Sequence, residues 1–498
     1  MSDAEMTHTR FRQRLPLGWR MSYGWLKRHL TRDRLWHDPV FNQWHQWLRQ
    51  TENWSLPALQ SYQLRRLKAL LHTAYTRTPF YRQLYDSHGV TPDDIQSLDD
   101  LSRLPIITKS MIRENIDAML PDGTNRENLV FLTTSGSTGQ PVGVFQDAGT
   151  VDQVELAFIH RQWAWAGYRR GNAYATFRGQ VIRLQGPDGH PTLWDYLTED
   201  NRLMLLAQDT ADSTMRETVR LLRRFRPRFI QTYPSTLELI VRYIQREGLD
   251  DIDVQAVFCE SETLYPHQRR LFEQQFKAQV FGAYGHSERA LDAVECEAHS
   301  GYHVNMEYGI LELLDEHNRP ITVPGRWGKV VGTGLDTFAM PLIRYETDDL
   351  AAYAAAPCPC GRAHTLIEDF HGRTPDYIVS HSGQVYPFGP IYASAGDEIP
   401  EIWHQIRELR FIQRQPGLLT IEMALVPGSD AECTKVGFLK GLYAWIKSSE
   451  FTASVDVVDA VQRNPRGKIR LLEQHLQISP GDLSENHPTA TTLVRDTH

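Results

Sequence analysis

The segment Thr133-Thr134-Ser135-Gly136-Ser137-Thr138-Gly139-Gln140-Pro141 combines hydroxyl side chains with glycines and lies between two apolar runs, 129–132 and 142–145. These runs predict two strands joined by a flexible loop. Glycines let backbone N–H groups approach an anion closely, and hydroxyl groups donate hydrogen bonds to its oxygens. The segment therefore predicts a phosphate-binding loop, with a solvated linker of similar composition as the alternative. It lacks the G-x-x-x-x-G-K-[ST] pattern, so the common P-loop fold is not indicated.

The bulk composition excludes several classes of protein. The 498 residues are 41% hydrophobic and 23% charged, as in ordinary globular domains. The net charge of −8 comes without a basic stripe along the chain, so nucleic-acid binding is not expected. No apolar run is long enough to cross a membrane, and the first residues lack a signal-peptide layout. Five cysteines in so long a chain fit a reducing compartment, and we expect a cytoplasmic protein.

Periodicity along the chain predicts an α/β fold followed by a smaller α+β module. The apolar spacing over residues 56–96 predicts helices, and Pro79 is predicted to end the first helical segment. From about residue 214, helices and strands alternate, as is typical of an α/β domain. The predicted order is helix 215–225, strand 229–233, helix 237–244, strand 254–258, helix 266–277 and strand 280–284. After residue 376 the pattern predicts a hairpin at 410–421, a helix at 436–446 and a strand at 455–458.

Four further segments carry side chains suited to nucleotide chemistry. Tyr284-Gly285-His286-Ser287-Glu288 offers an aromatic ring for a base and a carboxylate for Mg²⁺ on a triphosphate. Arg344-Tyr345-Glu346-Thr347-Asp348-Asp349 offers a carboxylate that accepts both hydroxyls of a ribose. Gly372-Arg373-Thr374-Pro375-Asp376 and Asn464-Pro465-Arg466-Gly467-Lys468 complete the set. Each segment alone is a weak signal.

Together, the order and spacing of these segments resemble the adenylate-forming superfamily of acyl-CoA synthetases, luciferases and peptide-synthetase adenylation domains. The chain is most similar to the branch of phenylacetate–CoA ligases, CapK and coenzyme F390 synthetases. The segments 67–75, 78–81, 104–109 and 233–235 resemble that branch as well. The resemblance spans roughly residues 50 to 475.

The resemblance implies a domain organisation. It comprises an N-terminal extension (1–50), a large multi-subdomain adenylate-forming domain (51–374), a small mobile C-terminal domain (376–478) and a disordered tail (479–498). The tail is rich in Pro, Ser, Thr and Asn, a composition that cannot bury a core.

The resemblance also implies a two-step reaction of an AMP-forming ligase. A carboxylate attacks the α-phosphate of ATP, releasing pyrophosphate, and a thiol such as CoA or an amine then displaces AMP. Two anions must meet in line, so positioning and charge neutralisation carry the catalysis.

By resemblance, each motif has a role. The phosphate loop holds the β- and γ-phosphates, Tyr284 stacks on adenine, Glu288 binds Mg²⁺, Asp349 binds the ribose with Arg373 nearby, and Lys468 neutralises the charge that develops at the α-phosphate. The loop residues implied are Thr134, Ser135, Gly136, Ser137, Thr138 and Gly139, with Gly285 and Ser287 completing the nucleotide set. We expect Lys468, Glu288 and Thr138 to be the catalytic residues.

Three positions depart from the family pattern. Val142 stands where a lysine is frequent, and Asp348 stands where glycine is usual. If the backbone is extended there, Asp348 and Asp349 face opposite directions, so only one of them need touch ribose. Pro375 stands at the hinge of the C-terminal domain, where its fixed φ predicts a restricted rotation or a pivot at Asp376. Unchanged half-reaction rates and domain arrangement in Pro375→Asp would contradict that hypothesis.

Four residues predict a structural zinc site, namely Cys296, His303, Cys358 and Cys360. Tetrahedral Zn²⁺ accepts three sulfurs and one nitrogen, and four protein ligands leave no open position for catalysis. Members of the resembled branch have the same Cys…His…Cys-x-Cys pattern. His299 and His364 are alternative fourth ligands, whereas Cys259 and Cys433 are interpreted as ordinary residues.

The sequence leaves the substrate open. The candidates for the acyl pocket are Arg178, Tyr233, Ser235, Glu260 and Glu262, each equally explicable as a core or surface residue. The predicted function is an acid–CoA ligase, with an amide or ester ligase of polysaccharide or secondary metabolism as the alternative. A non-catalytic nucleotide-binding protein is the third reading. The predicted partners are a small carboxylic acid and an acyl acceptor, and a homodimer is one option for the oligomeric state.

Overall fold

The computed structural model describes residues 16–30, 38–133, 142–177, 194–205, 212–371, 377–388, 402, 405–443, 446, 448–463 and 471–476. The segments 134–141, 372–376, 464–470 and 479–498 are outside these residues. The predicted phosphate loop, Arg373, the hinge Pro375, Lys468 and the predicted tail are therefore not described.

The helices of the described residues are α1 (Leu17–Leu30), α2 (Pro39–Thr51), α3 (Leu56–Arg77), α4 (Pro79–His88), α5 (Lys109–Asn115), α6 (Val151–Trp165), α7 (Asp212–Phe225), α8 (Pro234–Arg246), α9 (Pro266–Phe276) and α10 (Ala431–Tyr443). Pro79 does not simply end the predicted helical segment: α3 ends at Arg77, and Pro79 opens α4. Proline suits a first helical position because its missing N–H has no partner there in any case.

The strands are β1 (Leu129–Thr133), β2 (Gly143–Asp147), β3 (Tyr174–Phe177), β4 (Trp194–Leu197), β5 (Arg202–Leu205), β6 (Phe229–Thr232), β7 (Ala256–Glu260), β8 (Gln279–Gly285), β9 (Asp292–Glu295), β10 (Tyr302–Val304), β11 (Gly309–Leu314), β12 (Trp327–Gly334), β13 (Tyr345–Tyr353), β14 (Leu366–His371), β15 (Tyr377–Val379), β16 (Val385–Pro387), β17 (Ile406–Gln415), β18 (Leu418–Leu425), β19 (Thr452–Val457) and β20 (Leu472–Gln474). The alternating elements predicted between residues 214 and 284 are all present, with ends that shift by a few residues. The hairpin, helix and strand predicted after residue 376 are present as β17–β18, α10 and β19.

The chain forms two compact units. The site unit comprises Asp38–Gly167 and Phe281–Thr374, and the parallel-sheet unit comprises Met1–His37, Tyr168–Val280 and Pro375–His498. None of the helices in the described ranges has the length and apolarity that crossing a bilayer demands. The boundaries of the four predicted domains stay predictions.

The site unit is built on an antiparallel sheet in the order β11-β12-β13-β14-β10-β9-β8. Helices α3 and α4 pack on one end of it, and their buried side chains Leu67, Leu71 and Tyr81 belong to the same core as Tyr345 of β13. The phenol of Tyr81 donates to the backbone O of Pro341 at 2.7 Å, which fixes the chain just before β13. The apolar runs beside the hydroxyl-rich loop form the predicted strands, with Thr133 opposite Gly143 in the β1–β2 pair.

The parallel-sheet unit contains the strand–helix alternation. Strands β7, β6, β3 and β5 are parallel in that order, and β4 is antiparallel to β5 at the edge. Helix α7 contributes Met215, Val219, Leu222 and Phe225 to the core, the spacing from which it was predicted.

The C-terminal part of the parallel-sheet unit is an α+β module. Its sheet has the order β19-β18-β17-β20, and α10 packs Phe438 and Leu442 against Phe411. Gly417 turns the β17–β18 hairpin with a φ of 74°, a conformation that glycine adopts without steric cost. The α/β fold class with a smaller α+β module is thus confirmed.

Candidate active site

Tyr284, near the end of β8, joins two of the sequence motifs. Its phenol donates a hydrogen bond to Asp349 Oδ2 at 2.7 Å. Its ring stacks on Phe370 of β14 with 3.8 Å between ring centroids and 2° between planes. The Tyr-Gly-x-Ser-Glu and Tyr-x-Thr-x-Asp segments, far apart in sequence, therefore meet at one point of the site unit.

The first residues of β13 place their side chains alternately. Tyr345, Thr347 and Asp349 are buried, whereas Asp348 is exposed and pairs with Lys109 Nζ at 2.5 Å. The two adjacent carboxylates therefore face different environments, and Asp349 is the one that meets Tyr284.

The backbone at Asp348 is not extended, contrary to the sequence-based expectation. Its φ is 67°, and the register of β12 and β13 shifts between Lys329 and Val331. Thr347 Oγ1 bridges this bulge, because it donates to the backbone O of Val330 and accepts from the backbone N–H of Asp349. A left-handed backbone conformation at this position explains why glycine is usual there in the resembled family. Aspartate is among the few other residues that tolerate a positive φ.

Glu288 is buried beside this pair of motifs. Tyr345 donates its phenol proton to Glu288 Oε1 at 2.8 Å, and His286 Nδ1 lies 3.5 Å from Oε2. Burial raises the pKa of Glu288, but the charge of His286 and the hydrogen bond from Tyr345 outweigh burial and hold the pKa at about 2. Beyond the 3.5 Å contact with His286, the buried Oε2 has no hydrogen-bond donor among the described residues, so this carboxylate fits a cation ligand.

Gln146 connects the Glu288 segment to the strands of the hydroxyl-rich loop. This residue of β2 donates through Nε2 to the backbone O of Ser287 at 2.6 Å. The neighbouring residue Phe145 donates its backbone N–H to Met340 Sδ at 3.3 Å. Hairpin β1–β2 is thus fixed to the motif that carries Glu288, and Gly285 pairs with Asp292 across β8 and β9.

Sequence reasoning missed two members of the site, Tyr345 and His286. Both lie inside motifs that were selected for other residues. The signal that identifies Tyr345 is its position as the first residue of the Tyr-x-Thr-x-Asp motif, two residues before Thr347 and ahead of the bulge at Asp348. His286 has no comparable signal, because its proximity to Glu288 arises from the turn after β8.

The four predicted zinc ligands come together in the site unit. One ligand atom from each of Cys296, His303, Cys358 and Cys360 lies within 4.8 Å of the others. Cys296 follows β9, His303 is in β10, and the two remaining cysteines precede β14. Because β9, β10 and β14 are neighbours in the sheet, the register brings distant ligands to one place. Among the described residues, no other group of His, Cys, Asp and Glu forms such a cluster.

The alternative fourth ligands have other contacts. His364 Nε2 lies 3.1 Å from Glu307 Oε2, and His299 Nδ1 lies 3.8 Å from Glu295 Oε2. Glu307 is buried and also accepts from Arg161 Nη1 at 2.7 Å, so it is the centre of an ionic network next to the cluster. Burial raises the pKa of Glu307, but the charges of Arg161 and His364 outweigh it and hold the pKa well below its usual range.

The candidates for the acyl pocket that the structure describes lie in the parallel-sheet unit. Glu260 accepts from Gln231 Nε2 at 3.1 Å, and Glu262 accepts from the backbone N–H of Ser235 at 3.1 Å. The second contact caps the N-terminus of α8, and Tyr233 is buried just before that helix. Local structure therefore accounts for contacts of both glutamates, and Arg178 is outside the described residues.

Comparisons with known proteins show what the chain is similar to. No family model matches the chain. A phenylacetate-coenzyme A ligase of Thermus thermophilus is 28% identical over 340 residues, which cover 66% of this chain and 73% of the relative. Protein CapK of Staphylococcus aureus is 23% identical over 396 residues, which cover 78% of this chain and 84% of the relative.

A solved structure supports the same conclusion for the fold. The crystal structure of a 2-hydroxyisobutyryl-CoA ligase in the postadenylation state superposes with a TM-score of 0.66 at 18% identity, covering 86% of this chain and 91% of that one. The curated relatives and the two assembled motifs support the predicted resemblance to the adenylate-forming superfamily, in the branch of phenylacetate–CoA ligases and CapK.

Proposed function

We propose that this protein activates a carboxylic acid with ATP as an acyl-adenylate, releases pyrophosphate, and transfers the acyl group to the thiol of CoA. Curated relatives from Thermus thermophilus and Pseudomonas putida are named phenylacetate-coenzyme A ligases. A 2-hydroxyisobutyryl-CoA ligase of similar fold has been crystallised with its acyl-adenylate and CoA, at a TM-score of 0.56 and 19% identity. These relatives support both half-reactions.

The observation that carries the proposal is the hydrogen bond between Tyr284 and Asp349, with Glu288 beside them. In the proposed complex, Tyr284 stacks on adenine and Asp349 accepts from the ribose. Phe370 and Asp349 already restrain the ring of Tyr284. Adenine therefore stacks on it without a further loss of side-chain entropy, which favours affinity.

Glu288 is the proposed ligand of Mg²⁺. Apart from the 3.5 Å contact with His286, Glu288 Oε2 is buried without a hydrogen-bond donor, a state that a bound cation stabilises, and the low pKa keeps this carboxylate ionised at neutral pH. When bound, Mg²⁺ neutralises triphosphate charge. The loop residues 134–139, Arg373 and Lys468 would add the remaining contacts to the phosphates and the ribose, as the family resemblance implies.

The alternative is an AMP-forming ligase that transfers the acyl group to an amine or a hydroxyl. The chain is also similar to Protein CapK, whose name states no acyl acceptor, so this alternative stands beside the first. The acid is undetermined in either case.

ATP–pyrophosphate exchange, measured with aryl, short aliphatic and hydroxy acids, tests the first half-reaction. Exchange with at least one acid is expected, and Lys468→Ala should reduce it by about 100-fold or more while Lys440→Ala, a matched change on α10, leaves it unchanged. No exchange with any acid in the panel would count against catalysis. Product analysis with CoA and with amine acceptors then separates the two ligase types.

The Cys296–His303–Cys358–Cys360 cluster is proposed to hold a structural Zn²⁺. Three sulfurs and one imidazole are a common tetrahedral set for this ion. The backbone N–H groups of Ala298 and Arg362 donate to Cys296 Sγ and Cys360 Sγ at 3.4 and 3.5 Å, as expected around thiolates that carry charge. The ion would connect β9 and β10 to the loop before β14.

We further infer a cytoplasmic location, because five cysteines in so long a chain and the proposed thiolate metal site fit a reducing compartment. A homodimer remains a proposal, which light scattering of the purified protein tests directly.

A further inference from the structure

Helix α1 carries an apolar face that the parallel-sheet unit leaves in solvent. Trp19 is 71% exposed, Trp25 57% and Leu26 47%, and the ring of Tyr23 is also exposed. Trp19, Tyr23 and Leu26 are spaced at i, i+4 and i+7, so they form one stripe along the helix. Large side chains exposed together in this way mark an interaction surface.

The opposite face of α1 fixes the orientation of this stripe. Leu17 belongs to the core of the parallel-sheet unit. Arg20 pairs with Asp195 and donates to the backbone O of Tyr196 at 2.8 Å. Lys27 Nζ lies 2.5 Å from Glu199 Oε1. Contacts of Leu17 and Arg20 near the first turn and of Lys27 near the last turn therefore fix the helix, and its aromatic side faces outward.

The sequence around α1 is basic in an otherwise acidic protein. Residues 1–37 contain eight Lys or Arg and three Asp or Glu, whereas the whole chain has a net charge of −8. Besides Arg20 and Lys27, the basic residues of this stretch are Arg10, Arg12, Arg14, Arg28, Arg32 and Arg34. A partner for this region should thus be anionic and should also accept apolar side chains.

We propose that α1 docks the protein onto an anionic lipid surface. Indole rings favour the boundary between headgroups and acyl chains, leucine enters the acyl region, and basic side chains pair with lipid phosphates. A nucleic acid offers phosphates but no apolar layer for the stripe. A second copy would bring two basic segments together, and their repulsion opposes association.

Cosedimentation of the full-length protein with vesicles tests the proposal. The vesicles contain either phosphatidylglycerol mixed with phosphatidylcholine or phosphatidylcholine alone. We expect binding to the anionic vesicles only, weakening as salt is raised. Trp19→Ser with Leu26→Ser should weaken binding by about tenfold or more. Val436→Ser, which removes a 65% exposed apolar side chain from α10, should leave binding unchanged.

A second variant keeps the test independent of the fold of α1. Arg12→Glu with Arg14→Glu changes charge at two sequence positions that precede the described residues of α1, and it should also weaken binding. Circular dichroism verifies the folding of every variant. The proposal is overturned if anionic vesicles do not bind the protein, or if Trp19→Ser with Leu26→Ser binds as the parent does. It is equally overturned if that double variant instead converts a dimer to a monomer in light scattering.

Discussion

The phenol of Tyr284 lies 2.7 Å from Asp349 Oδ2, so the proposed adenine platform and the proposed ribose ligand are held by a direct hydrogen bond. The stack of Tyr284 on Phe370 fixes the same ring from one side. A binding surface restrained in this way loses little entropy when a nucleotide binds.

The first prediction concerns this hydrogen bond. Tyr284→Phe keeps the stacked ring but removes the donor to Asp349. We expect the KM for ATP to rise by about five- to thirtyfold, since a hydrogen bond to a charged group contributes on the order of 1–2 kcal/mol. Tyr75→Phe is the matched control, because Tyr75 donates to Asp86 at 2.8 Å on the exposed side of α3 and α4. An equal rise in KM for both variants would contradict the role of Tyr284.

The second prediction concerns Glu288. Glu288→Gln keeps an oxygen for the phenol of Tyr345 but removes the charge, so we expect kcat to fall by about 100-fold or more while thermal stability changes little. Initial rates measured across a Mg²⁺ titration test this. The control is Glu346→Gln, which changes the residue next to Tyr345 in β13. Retained activity with an unchanged Mg²⁺ requirement would show that Glu288 does not bind the metal.

The third prediction separates positioning from catalysis at Tyr345. Tyr345→Phe leaves Glu288 Oε1 without its donor, so the concentration of Mg²⁺ needed for half-maximal rate should rise about fivefold, and saturating Mg²⁺ should restore most of kcat. A loss of kcat that saturating Mg²⁺ does not restore would argue for direct participation of the phenol.

The fourth prediction concerns the cysteine cluster. Metal analysis of the purified protein should find about one zinc per chain, and Cys358→Ser should abolish it and lower the Tm. The controls are Cys259→Ser, which is buried, and Cys433→Ser, which is exposed, since neither residue is in the cluster. Protein that is free of zinc yet has an unchanged Tm would refute a structural metal.

The fifth prediction gives the sign of a pH effect at Asp292. Burial, and then the charge of Glu155, raise the pKa of this carboxyl to about 7. Protonated Asp292 stabilises the fold fully below about pH 4, its unfolded pKa, and this contribution is lost as the pH rises through 7.

Asp292→Asn keeps an oxygen that accepts from Asn305 but carries no charge. The free energy of unfolding is measured with urea at pH 5 and at pH 8 for the variant and the parent. The difference, variant minus parent, should be more positive at pH 8 than at pH 5 by roughly 2 kcal/mol or more. Asp117→Asn, at an exposed ion pair with Arg126, should produce no such difference. A parallel pH dependence of the parent and Asp292→Asn would mean that Asp292 is ionised in the folded protein.

Much of the fold follows from local pattern. The alternation from α7 to β8 was predictable because apolar spacing at α7 and apolar runs at β6 and β7 are local signals. Pro79 was predicted to end a helical segment, and in the structure it also begins α4. The pattern did not predict this second role, since a proline that ends one helix is also suited to begin the next. The site divides similarly: Tyr284, Glu288 and Asp349 stand in recognisable motifs, whereas His286 meets Glu288 through a turn whose geometry no pattern specifies.

The sequence by itself determined the chemistry that is available: the hydroxyl-rich loop, the two motifs predicted to bind nucleotide, the four predicted metal ligands and the basic N-terminal segment. Tertiary structure alone decided which of these residues meet. It joined Tyr284 to Asp349, gave Glu288 its donor from Tyr345, and selected His303 over His299 and His364 in the cysteine cluster. The physical reason is that strand pairing and bulges set distances between residues far apart in sequence, and a residue's neighbours along the chain carry no record of those distances.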